Sequence, residues 1–274
     1  MKKILLAFDG TSFSEGAFEF ARQINSLNPV LLTGVFIPQL SYANLWSYAN
    51  GMAGPTYVPL LETDDSDAIE KNIRLFEQLC TEYSIKYTIH KDFFDFALPE
   101  LKKETRFADL LVISSEIFYK ELGRQNPSEY LKDALHSSEC PVIVVPEKFK
   151  FPKVNILAYD GSESSVFAIK QFAYIFPGLT SQETLLFYIS PGEDEKLPDN
   201  EKAEELVKQH FSNVSFLKLS LNPKKYFTDW INNNPDAVLV SGSFGRSSLS
   251  EMFRKSFVAN IIAEHKLPVF IAHK

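Results

Sequence analysis

Near the end of the chain, Ser241-Gly242-Ser243-Phe244-Gly245-Arg246-Ser247-Ser248 follows the apolar run Ala237 to Val240 and precedes Lys255-Ser256. Glycines after a buried strand let a backbone approach a ligand closely, and the start of a following helix offers unpaired N–H groups to an anion. The hydroxyls of Ser243 and Ser256 and the charges of Arg246 and Lys255 add donors. The chemistry these types could do is the holding of a phosphate-like anion. The competing reading is an ordinary strand-to-helix turn whose glycines serve tight packing. No GxxxxGK[ST] loop and no GxGxxG occurs, so the familiar phosphate-loop and dinucleotide signatures are absent.

A second turn of interest, Asp160-Gly161-Ser162, ends the apolar run Ile156 to Tyr159. In an open parallel sheet the ligand crevice lies at the carboxyl ends of strands where the strand order reverses. If the strands before Asp160 and before Gly242 are neighbours there, the two turns line one crevice. The acid would then accept hydrogen bonds from a base or ribose, and glycines and hydroxyls would hold phosphates.

These turns must be positioned by a fold, and the chain states its fold twice. Val154 to Ser162 repeats Lys3 to Thr11 at an offset of 151 residues, Asp9 falling on Asp160. Asp109 to Ser114 matches Asp236 to Ser241, and Cys140-Pro141-Val142 matches Leu267-Pro268-Val269, both at an offset of 127. The first copy is 24 residues longer, the difference between the two offsets. Each copy alternates short apolar runs with helical periodicity. In the first, strands are expected at Ile4 to Phe8, Val30 to Ile37, Ile85 to Ile89, Leu110 to Ile113 and Val142 to Val145. Helices are expected after Asp9, from about Asp65 to Tyr83, and from Phe94 to Leu101. In the second, strands are expected at Ile156 to Tyr159, Leu185 to Ile189, Val214 to Leu219, Val238 to Ser241 and Val269 to Ile271. Strands alternating with helices imply an α/β class with parallel sheets.

The expected organisation is two doubly wound five-stranded domains, residues 1–147 and 153–274, joined by the short linker Lys148 to Lys153. The extra length falls mostly between Pro38 and Thr63, which reads as a long loop: a lid, a packing loop or a protein contact.

At 274 residues, with 45% hydrophobic and 23% charged, the composition suits a water-soluble pair of domains. A net charge of −7 opposes a general nucleic-acid binder. Cys80 and Cys140 lack metal-ligand spacing and read as buried thiols, and the five histidines form no i, i+4 pair. No apolar run approaches the roughly 20 residues of a membrane span. The opening apolar run is cut by Asp9-Gly10 too early for a signal peptide, so a cytoplasmic protein is expected.

Asp-Gly-Ser after the first strand, Gly-x-x-Gly-Arg after the fourth and a final Leu-Pro-Val strand resemble the universal stress protein family. Its phosphate motif is Gly, two residues, Gly, nine residues, then Gly and Ser or Thr; Gly242, Gly245 and Ser256 match, with Lys255 in place of the third glycine. The resemblance covers the whole chain as a tandem pair. It implies strand order 3-2-1-4-5, an internal pseudo-dimer through the last strands, and ATP or another adenine nucleotide as ligand, with magnesium left open. It also implies that Asp160 and Tyr188 meet the adenine and ribose. The nucleotide site so read comprises Asp160, Gly161, Ser162, Tyr188, Gly242, Ser243, Gly245, Arg246, Lys255 and Ser256. Further pairing into a homodimer is left open.

The first copy departs from this set. At the 127 offset, Gly242, Gly245, Lys255 and Ser256 become Ser115, Phe118, Ser128 and Glu129. Phe118 crowds the approach and Glu129 repels phosphate, so the first site is expected to be dead for nucleoside triphosphate. Asp160 is the best-placed carboxylate for hydrolysis, but Glu163 and Glu251 read as helix-start residues and no catalytic residue is assigned. A regulatory nucleotide-binding protein is the leading expectation. The alternatives are an interaction module acting through protein contacts without nucleotide, and a weak ATP hydrolase.

Overall fold

A computed structural model describes residues 1–9, 11–37, 41–45, 56–60, 63–91, 97–118, 129–189, 197–219, 230–231, 233–242, 258 and 260–273. The first half runs β1 (Lys2–Phe8), α1 (Glu15–Leu27), β2 (Val30–Phe36), β3 (Ser41–Leu45), β4 (Thr56–Leu60), α2 (Thr63–Glu82), β5 (Lys86–Lys91), α3 (Ala97–Thr105), β6 (Leu110–Ser114), α4 (Glu129–Ser137) and β7 (Val142–Val145). The second runs β8 (Val154–Tyr159), α5 (Glu163–Ile175), β9 (Glu183–Ile189), α6 (Asn200–His210), β10 (Asn213–Leu219), β11 (Ala237–Ser241) and β12 (Val269–Ile271).

Among the described residues, all strands but β3 and β4 form one sheet of ten, ordered β10-β9-β8-β11-β12-β7-β6-β1-β2-β5. Each half has the order 3-2-1-4-5 and is parallel throughout; the halves meet where β7 and β12 pair antiparallel. Ile143 opposes Phe270, Val142 opposes Ile271 and Val144 opposes Val269. The offset of 127 maps this pairing onto itself, so the contact is isologous, as in a two-fold dimer.

The continuous apolar runs follow from burial on both faces. Alternation along β1 sends Ile4, Leu6 and Phe8 to one face, with α1, α2, α5 and α6, and Leu5 and Ala7 to the other. Leu131 and Leu135 of α4, and Ile261 and Ile262 in the second half, pack on that other face. The chain therefore leaves β1 and β6, and likewise β8 and β11, toward opposite faces. Each pair of strands is adjacent, which makes its carboxyl end a topological switch point.

The halves share more than a strand pair. Phe20 of α1 packs on Phe149, Phe151 and Phe176 at centroid distances of 5.8, 5.7 and 6.2 Å, so the interdomain segment is anchored by its aromatic residues. The Lys2 ammonium donates to the Ile175 carbonyl, a cation at the negative end of α5. The extra length of the first copy is only partly the long loop expected: β3 and β4 pair antiparallel, Ser41 opposite Leu60, as a separate two-stranded ribbon. Its sequence hides this because tyrosine, glycine and proline break any period of two.

Two outcomes follow. Phe270 is fully buried against Phe172 and Phe176, at 5.4 and 5.9 Å, so Phe270→Ala lowers stability by about 3–5 kcal/mol in urea unfolding. Burial pushes the Cys80 and Cys140 thiols up to about 12. Both are therefore protonated at neutral pH and resist an iodoacetamide pulse until the chain is unfolded, as read by mass spectrometry.

Candidate nucleotide site

The turn after β8 is built from its own short-range bonds. Oδ1 of Asp160 accepts from the Ser162 amide at 2.9 Å and the Ser162 hydroxyl at 2.6 Å. The Ser162 oxygen in turn accepts from the Ser165 amide at 3.1 Å, which makes Ser162 the N-cap of α5. Gly161 sits at φ +79°, a left-handed conformation that favours glycine. A Cβ there would also stand 2.7 Å from the Pro198 Cβ.

Gly242 is the first residue beyond β11. A Cβ on it would overlap the Ser164 carbonyl and the Ser165 nitrogen in the first turn of α5. The two turns singled out in the sequence therefore touch, at the carboxyl ends of neighbouring strands. The glycine is needed there for backbone to meet backbone, which is the packing role set beside the phosphate role. Ser243, Gly245, Arg246, Lys255 and Ser256 lie outside the described residues.

Tyr188 is buried in β9 and stands in register with Tyr159 of β8. Strand alternation puts it on the Leu186 face, which α5 and α6 cover. The sequence did not flag Tyr159 or Pro198. The Tyr159 hydroxyl donates to the Pro198 carbonyl at 2.9 Å, holding residues 197–199 against the Asp160 turn. Burial raises the Tyr159 pKa, and the charges of Asp199 and Tyr188 raise it further. No spacing rule foretells a contact across 39 residues.

The first domain differs at the same place. Asp9 is buried, and its Oδ1 accepts from the Ser12 amide at 2.9 Å and the Thr11 hydroxyl at 3.4 Å. Yet α1 is capped by Ser14, whereas α5 is capped by Ser162, the counterpart of Thr11. Relative to the preceding strand, the second helix starts one turn earlier. Ser115, the counterpart of Gly242, lies 2.8 Å from Nδ1 of His265 in the other half. Among the described residues, no three His, Cys, Asp or Glu side chains gather as a metal site, and no helix is long and apolar enough to cross a membrane.

Gly161→Ala places a methyl group in the left-handed region and against Pro198. We expect a loss of about 1–2 kcal/mol in urea unfolding, while an alanine at Gly178, whose added Cβ meets its nearest atom at 3.5 Å, makes no clash.

The sequence matches no protein-family model and no curated protein. Solved structures are similar. A universal stress protein from Archaeoglobus fulgidus DSM 4304 matches with a TM-score of 0.68 and 17% identity, over 100% of this chain and 96% of that one. A provisionally assigned universal stress protein from Pseudomonas aeruginosa UCBPP-PA14 matches with a TM-score of 0.55 and 15% identity, over 100% of this chain and 93% of that one. Both matches run across the two halves and the strand pair that joins them, so this chain has the tandem universal stress protein fold.

Proposed function

We propose that this protein is a regulatory member of the universal stress type that holds an adenine nucleotide in its second domain and uses the first as a fixed structural partner. The observation that carries this reading is the meeting of the Asp160-Gly161-Ser162 turn with Gly242 at the switch point between β8 and β11. In this reading Asp160 and Tyr188 face the base and ribose. Gly242, Ser243, Gly245, Arg246, Lys255 and Ser256 face the phosphates.

Micromolar binding requires about 8 kcal/mol, and a charge-assisted hydrogen bond nets roughly 1.5–3, so about three to five such donors suffice. The second domain has that number of candidate donors. The first has Ser115, Phe118 and Glu129 where they would stand. No residue is assigned to hydrolysis, and the nucleotide acts by biasing a contact rather than as a substrate.

One observation favours the interaction-module reading instead. Pro198 lies against Gly161 and is tied there by Tyr159, and Asp160 Oδ1 is committed to its own turn. The two readings separate in one experiment. The purified chain is denatured and the released ligand identified by mass spectrometry, then ATP, ADP and AMP are titrated by calorimetry. We expect an adenine nucleotide to be released, and Gly245→Val to weaken binding at least about tenfold, or about 1.4 kcal/mol, with an unchanged unfolding curve. If nothing is released and nothing binds below about 1 mM, the interaction module replaces the nucleotide reading. Phosphate release above the buffer blank would instead favour the hydrolase.

A further inference from the structure

Glu147, two residues beyond β7, places its carboxylate between three elements of the first domain. Oε1 accepts from the Ser14 hydroxyl at the start of α1 and from the Ser114 hydroxyl at the end of β6, the latter at 2.7 Å. Oε2 accepts from the Gly16 amide at 3.2 Å. Ser14 and Ser114 are 3% and 2% exposed.

Both hydroxyls are aimed by other bonds. The Ser14 oxygen accepts from the Ala17 amide at 3.0 Å, and the Ser114 oxygen from the Glu116 and Ile117 amides at 3.2 and 3.1 Å. Against a carboxylate oxygen that accepts, each hydroxyl supplies its proton. The backbone is fitted as well: a Cβ on Gly16 would overlap the Pro146 carbonyl and stand 2.6 Å from the Glu147 Cα. Glu116 steadies the segment by accepting the Glu147 amide at 3.1 Å.

The second copy keeps the two serines, as Ser165 and Ser241, but neither the carboxylate nor the glycine. At the offsets of the repeat, Lys274 corresponds to Glu147 and Phe167 to Gly16. The second helix starts a turn earlier, and Gly242 lies on that added turn.

From this we infer that Glu147 is the resident anion of the first domain: a carboxylate carried in cis that fills the switch-point crevice, closes it to external oxyanions and latches the interdomain segment to α1. The inference does not rest on nucleotide binding by the second domain. It explains why the first crevice keeps helix-start and hydroxyl donors although its glycines are gone.

The test uses the full chain, with acetate as probe and sodium chloride at matched ionic strength as control. The Gly16 amide is followed by NMR, because it reports on the first domain alone. In Glu147→Ala the donors of Ser14, Gly16 and Ser114 remain around a carboxylate-sized gap. Acetate then shifts the Gly16 resonance saturably, while the wild-type resonance shows no saturable response. A Gly16 resonance in Glu147→Ala that ignores acetate, or a wild-type response of equal size, overturns the inference. Glu147→Gln covers the case in which the alanine variant does not fold. It keeps the shape, loses the charge and turns an N–H toward a donor. Its melting temperature falls by about 3–10 °C and acetate does not restore it. A glutamine variant as stable as wild type also overturns the inference.

Discussion

The antiparallel pairing of β7 with β12 is the contact on which the rest of the molecule depends. A five-stranded sheet ending at either strand would expose a row of unpaired amides and carbonyls along an apolar edge. Joined, the two edges satisfy each other, and the side chains of both faces run on from one half into the other. Val142 and Val144 face the same layer as Val269 and Ile271, while Ile143 and Phe270 face the opposite one. The outer edges that remain, β5 and β10, carry alternating or largely exposed residues, including Lys86, Lys91 and Lys218, which suit strands left in water.

The halves are alike in strand order and differ at their switch points. Both keep an aspartate that shapes the turn after the first strand, Asp9 and Asp160. What differs is the material at the switch point. In the first half it is a carboxylate from the chain's own interdomain segment. In the second it is an added helical turn met by a glycine. The same feature, a helix start facing the ends of two strands, is thus met by a carboxylate in one copy and by a glycine backbone in the other.

Much of the fold was legible because its signals are local. Strands buried on both faces leave continuous apolar runs, and a duplicated unit repeats them at fixed offsets. The ends of β1, β6, β8 and β11 fall within a residue or two of where those runs stop. The site was legible in part. Gly161 and Gly242 stand where the chain demands glycine, and the first reveals itself by following an acid at a strand end. Tyr159 looked like one more strand residue, and Glu147 like a charge beside a linker. The partner of Tyr159 lies 39 residues away, and those of the Glu147 carboxylate 33, 131 and 133 residues away.

The sequence by itself determined the class of the fold, its duplication and the two turns worth attention, because apolar periodicity and glycine or aspartate at a strand end act over a few residues. Tertiary structure alone decided how those turns are filled. A serine hydroxyl takes whichever acceptor packing brings to it, and a glycine serves a ligand or a neighbouring helix according to what the chain sets against it. Those neighbours are chosen by strand order, which sets β1 beside β6 and β8 beside β11.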